Sequence, residues 1–89
     1  MAKIVITHSV VDADKWLQFK AERAEAIGGM GATNVVDHVA HDGSKNVAIT
    51  ADTDDVASVM AAISSPPPEL GAAMEAHGVI PPLTVYVEK

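Results

Sequence analysis

The side chains of this chain best suited to move a proton near neutral pH are four histidines and a single tyrosine, because no cysteine is present. His8 stands at the end of an apolar β-branched segment, Ile4-Val5-Ile6-Thr7-His8. A neutral imidazole there could accept the proton of a phenol, since its ordinary pKa of about 6.5 leaves it unprotonated at pH 7; the plainer alternative is a strand-end histidine bonded to backbone or water. Tyr86, the only phenol, lies between Thr84 and Glu88 of its own parity, placed either to bond a ligand carbonyl or to pack across strands. Trp16 and Phe19 fall one helical turn apart and would either wall a site for a flat ligand or simply fill a core. Asn34 and His38 share a strand parity and, with Thr50 of a following strand, complete the candidate ligand-binding set.

Other arrangements point away from chemistry. His38 and His41 are three residues apart on a strand, so they project to opposite faces and make no chelate; no metal site is expected. Asp37 and His38 read as solvated polarity on an edge strand. His77 closes a helix, where an imidazolium would meet the negative end of the helix dipole. Asp52, Asp54 and Asp55 lack the alternating ligands and closing glutamate of a calcium loop, and suit a helix start instead.

The elements that must position these groups follow from periodicity. Residues 3–10 form a strand that is apolar on both parities. Asp12 offers an N-cap to a helix over 13–27 whose stripe is Ala13, Trp16, Leu17, Ala21, Ala24 and Ile27, ended by the glycines at 28, 29 and 31. Residues 33–41 read as a second strand, Asp42-Gly43-Ser44-Lys45 as a turn, and 46–51 as a third strand. Thr53 is the expected N-cap of a second helix with Val56, Val59, Met60 and Ile63 inside. The run Ser64-Ser65-Pro66-Pro67-Pro68 breaks that helix, a short third one carries Leu70, Ala73, Met74 and His77, and 83–87 is the last strand.

The order β-α-β-β-α-(α)-β predicts an α+β, ferredoxin-like sandwich spanning 1–89 as one domain. It has a four-stranded antiparallel sheet, the first and third strands central, and all helices on one face. The other face would then carry apolar groups from either parity of the first strand. The simplest cover for it is a second copy, giving a homodimer whose two sheets enclose a barrel. Composition narrows the partners. Twelve acidic against six basic residues and three aromatics disfavour nucleic acid and anionic membranes. No apolar run spans a bilayer and the first residues lack a signal-peptide layout, so the expected location is cytoplasmic.

The segment Ile-Thr-His-Ser-Val-Val-Asp-Ala-Asp-Lys-Trp at the first strand-to-helix junction carries a resemblance. So do the helix break at Ser64-Ser65-Pro66 and the tail Glu75-Ala-His-Gly-Val-Ile-Pro-Pro-Leu-Thr-Val-Tyr. Over nearly its whole length the chain resembles the dimeric α/β-barrel superfamily, near the antibiotic-biosynthesis monooxygenase-like and stress-responsive barrel proteins. The resemblance implies a ligand pocket between sheet and helices or at the barrel mouth. It also implies a small aromatic or quinol-like ligand and a cofactor-free, monooxygenase-like activity. His8 would then be the base, Tyr86 and Asn34 would orient the ligand, and Trp16 and Phe19 would wall it. The alternative is a non-catalytic ligand-binding or stress-associated module on the same barrel. Two departures make haem breakdown doubtful: the register of the iron-ligating histidine in some similar haem-degrading proteins could fall on Met74 or Ala76 as well as on His77, and Val59-Met60-Ala61-Ala62-Ile63 lacks a tryptophan.

Overall fold

The computed structural model describes Met1–Lys89. The chain runs β1 (Ala2–Val10), α1 (Ala13–Leu17), α2 (Lys20–Gly28), β2 (Ala32–Val39), β3 (Asn46–Thr53), α3 (Val56–Ser64), α4 (Pro68–Ala76) and β4 (Val79–Val87). The strands form one antiparallel sheet in the order β2-β3-β1-β4, with the most deeply buried strands, β1 and β3, in its centre. This is the expected α+β ferredoxin-like arrangement.

The sheet buries one parity of β1: Ile4, Ile6, His8 and Val10 lie under the helices. Register with β3 sets Val47, Ile49 and Ala51 beside them, and Trp16, Ile27 and Val59 come down from the helices to close the core. Each fully buried aliphatic side chain of this kind stabilises the fold by about 1.5–3 kcal/mol. The other parity, including Val5, Thr7, Ser9, Ala48 and Thr50, has no helix over it.

The helical region departs from a single helix over 13–27. Asp12 caps α1 as expected, its carboxylate accepting from the Asp14 and Lys15 amides. The helix then breaks at Phe19 (φ −102°, ψ 22°). The amides of Gln18 and Phe19 bond back only three residues, to Lys15 and Trp16, tightening the last turn. Past the break the buried face of α2 is narrower than expected. Ala21 and Ala24, expected inside, are exposed; Arg23 and Ile27 are the buried residues of the helix. Likewise Met60 of α3 is exposed, and only Val59 of that helix is fully buried. Asp55, not Thr53, caps α3, its carboxylate accepting from the Ser58 amide. The Thr53 side chain instead joins two segments, donating to the Gly31 carbonyl and accepting from the Asp55 amide.

Two irregularities shape the sheet. Between Thr33 and Val36, β2 carries one extra residue relative to β3; there Asn34 adopts a left-handed φ of 54° and donates to Asp52. On the other edge, β4 begins at Val79 rather than 83 and runs through Pro81 and Pro82. Prolines donate no ladder bond, and the β1–β4 register shifts there, between Thr7 and Ser9. The sheet is therefore loosened at His8.

Candidate functional site

A partly open cavity of about 60 Å³ lies between the sheet and the helices. Its wall is mostly apolar, with Ile6, Ile27, Met30, Ile49, Ile63, Leu70, Met74 and Leu83 around it. Four other side chains give it chemistry: His8, Trp16, Arg23 and His77.

His8 arrives on the buried parity of β1 and is 7% exposed. Its Nδ1 lies 2.9 Å from the Ser9 carbonyl oxygen. A carbonyl only accepts, so Nδ1 carries the hydrogen and the lone pair of the neutral ring sits on Nε2. The ring meets Trp16 edge-on, with centroids 5.9 Å apart. Burial lowers the His8 pKa below 6.5, the Ser9 hydrogen bond partly opposes this, and the nearby Arg23 charge lowers it further. Neutral His8 is thus a proton acceptor at pH 7 with its tautomer fixed by the backbone.

Arg23 is the group sequence periodicity did not find. Its guanidinium bonds Asp37 at 2.7 Å, and both side chains are almost wholly buried. It also donates to the Trp16 carbonyl, which accepts from the Phe19 amide as well, and its carbon lies 3.9 Å from the Trp16 ring centroid. Asp37 is therefore no solvated edge residue. Its register opposite Ile49 turns it under the helices, where it neutralises Arg23. Two buried polar atoms meet no protein partner, the Trp16 indole N–H and Asp37 Oδ1.

His77, expected to serve the dipole of its helix as a cation, lies buried against Phe19. The two rings stack at 4.3 Å with 19° between their planes. Burial lowers its pKa, the Arg23 charge adds to the lowering, and Glu22 opposes it. A neutral ring, not an imidazolium, is the favoured state.

The remaining sequence candidates stand on the other side of the sheet. Tyr86 pairs with Val5 on the uncovered face and is 58% exposed. His38 Nε2 lies 3.0 Å from the Thr50 hydroxyl on the same face. Asn34 sits at the β2 bulge against Asp52. The structure thus brings His8 and Trp16 to one cavity, adds Phe19 behind His77, and separates them by the sheet from Tyr86, Asn34, His38 and Thr50. At the His38 end of the uncovered face is a broad open groove of about 520 Å³, bordered by Thr7, Ser9, Ile80, Pro82 and Thr84. No group of three or more histidine, aspartate or glutamate side chains is placed to hold a metal ion. No helix is long and apolar enough to cross a membrane.

The sequence matches no family model and no curated protein. Solved structures do match its shape. A Bordetella bronchiseptica protein assigned as an antibiotic biosynthesis monooxygenase superposes with a TM-score of 0.67 at 15% identity, covering 99% of this chain and 94% of that one. The crystal structure of an antibiotic biosynthesis monooxygenase superposes at 0.65 with 12% identity, covering 100% and 97%. A dimeric ferredoxin-like protein from an uncultured marine organism superposes at 0.56 with 6% identity, covering 99% and 91%. At these identities the likeness speaks for the fold alone: the chain has the ferredoxin-like α+β fold that these proteins share.

Proposed function

We propose that the chain is a homodimeric barrel protein that binds a small aromatic, quinol-like ligand in the cavity of each protomer, with His8 as the base that takes a phenolic proton. The observation that carries this reading is the His8 tautomer. Its Nδ1 hydrogen is held by the Ser9 carbonyl, so Nε2 is left as the lone-pair acceptor of a side chain that lines a mostly apolar cavity. The Trp16 indole N–H, without a protein acceptor, is a donor for a second ligand oxygen. Proton removal leaves an electron-rich phenolate. In the monooxygenase-like step a ring C–H carbon adds dioxygen, the oxidant, to form a hydroperoxide whose O–O bond breaks as that carbon loses its hydrogen, leaving a carbonyl and one water; the non-catalytic alternative stops at binding. The cavity of about 60 Å³ holds a few waters. A quinol therefore enters only when a wall moves, and α4, with no buried residue of its own, is that wall.

The test pairs titration with turnover. Hydroquinones and naphthoquinols added to the protein should raise its Tm, and His8→Gln should lose at least about tenfold in affinity for the deprotonated ligand. Oxygen uptake with wild type but not with His8→Gln marks an enzyme; stabilisation without uptake marks a binding module. Unchanged binding and uptake in His8→Gln would sink the base assignment.

The dimer is supported by the character of the uncovered face. Val5, Val36, Ala48, Ile80 and Tyr86 lie there among neutral Thr7, Thr50 and Thr84, while Lys3, Asp52 and Glu88 gather at one end and bond one another. Four strands about 4.8 Å apart and about 3.3 Å per residue present on the order of 500 Å² in projection. Corrugated by side chains, this approaches the roughly 800 Å² each partner gives to a stable interface. Sedimentation at micromolar concentration should give twice the 9.2 kDa of one chain. Tyr86→Glu should shift it to a single chain; a wild-type monomer would defeat the barrel. In the dimer Tyr86, Asn34, His38 and Thr50 face the partner and the barrel interior.

A further inference from the structure

Between Ser65 and Gly78 a single side chain is buried, that of His77. The rest of this segment is a proline-rich link, Pro66-Pro67-Pro68, and α4, whose Leu70, Ala73 and Met74 lie half-exposed along the cavity. At its far end the chain is fixed. The Val11 amide donates to the Gly78 carbonyl at 2.9 Å, and Gly78 holds a φ of 78° that a β-carbon would strain. The segment is therefore tethered at Gly78, joined to α3 through prolines that donate no backbone hydrogen bond, and held down between them by one imidazole lying flat on Phe19.

The groups that face this imidazole decide what a proton would do to it. From α2 come the Arg23 guanidinium, a lasting cation, and the exposed Glu22. From β1 comes His8, a second imidazole on the same cavity. Asp37 of β2 is already committed to Arg23. The α1–α2 corner offers only Phe19, β4 contributes the apolar Val79 and Leu83 to the cavity, and Glu75 of α4 itself is exposed. One weak, solvent-facing carboxylate thus stands against a buried cation.

We propose that α4 is an acid-released lid over the ligand cavity: a proton on His77, joined by one on His8, sets cations beside Arg23, frees the ring from Phe19 and lets the helix swing out about Gly78. This rests on the reading of the cavity as the ligand site and adds its regulation. The sign is fixed by the direction of the shifts. Both imidazoles are lowered from 6.5 in the closed state, so closure is fully favoured above that pH and is lost progressively as pH falls below it. Acid would open the cavity for exchange, and neutral pH would close it over its contents.

Trp16 is the chain's only tryptophan and lines the cavity, so it reports opening without any ligand. Between pH 7.5 and 5.5, acrylamide quenching of Trp16 in the full chain should rise by roughly five- to tenfold while far-UV circular dichroism stays constant. His77→Phe keeps a ring on Phe19 but cannot titrate there, and should show a clearly smaller acid response, the remainder being that of His8. Hydrogen exchange in wild type, corrected for intrinsic rates, needs no variant: residues 68–77 should lose protection in acid while residues 4–10 keep theirs. The lid is overturned by quenching that does not change with pH, by an equal acid response in His77→Phe, or by protection lost uniformly along the chain. Neither readout uses a quinol, so acid opening without quinol binding would remove the proposed ligand and leave the lid standing.

Discussion

Replacing Asp37 with alanine should destabilise the fold by about 3–5 kcal/mol, the usual cost of leaving a buried charge without its partner. Arg23 and Asp37 are 6% and 4% exposed at the side chain and 2.7 Å apart, so the guanidinium left behind stays buried, with only the exposed Glu22 carboxylate acting on it from outside. Small domains have only about 5–15 kcal/mol in total, so the variant should unfold at a much lower urea concentration, or be partly unfolded in buffer. Arg23→Met should cost a comparable amount, because it orphans the carboxylate and frees the Trp16 carbonyl as well. The double variant Arg23→Met, Asp37→Leu should regain most of the loss, since apolar side chains of similar volume replace a buried pair at little net cost. That recovery is the decisive measurement. Additive losses in the double variant would mean the two residues act separately and would contradict the ion pair. Arg23 in Asp37→Ala would also press harder on both imidazoles, so His8 and His77 should titrate at still lower pH by nuclear magnetic resonance.

The same ion pair marks where the sequence stops being legible. Strand order, the single covered face, the caps at Asp12 and the helix break at the prolines all follow from local rules, because each is set by residues adjacent in sequence. Asp37 sits on an edge strand, and edge position alone says nothing about which parity turns inward; the extra residue at Asn34 decides that. Arg23 hides for a different reason. It stands seven residues after Trp16 and four before Ile27, on their face of the helix, but a guanidinium argues against burial until its partner Asp37 arrives from another strand. The break at Phe19 has no proline or glycine to announce it. It is sustained by the Phe19–His77 stack, which joins segments far apart in the chain, and by the bond from Arg23 back to the Trp16 carbonyl across the break. His8, by contrast, was visible as a strand-end histidine, though not which of its nitrogens is free. Tyr86 was equally visible, and the parity of the last strand sends it to the opposite face.

Trp16 should separate what holds the fold from what binds the ligand. Its side chain is fully buried, touching His8 at its edge and Arg23 on its face. Trp16→Ala should therefore cost about 3–5 kcal/mol, the loss of a large buried ring plus the void left behind. Trp16→Phe should cost less, about 1–2 kcal/mol. It keeps a ring under the guanidinium and removes an indole N–H that has no protein acceptor, so no internal hydrogen bond is broken. Ligand affinity should not follow this order. If the indole N–H donates to a quinol oxygen, Trp16→Phe loses that bond as completely as Trp16→Ala does. Affinity should then fall about tenfold in a variant that remains well folded, the worth of one hydrogen bond to a buried polar group. Chemical denaturation and calorimetric titration on the same samples would show this. A Trp16→Phe protein that binds quinols as tightly as wild type would make the indole N–H a spectator, and the ring at this position would then serve packing alone.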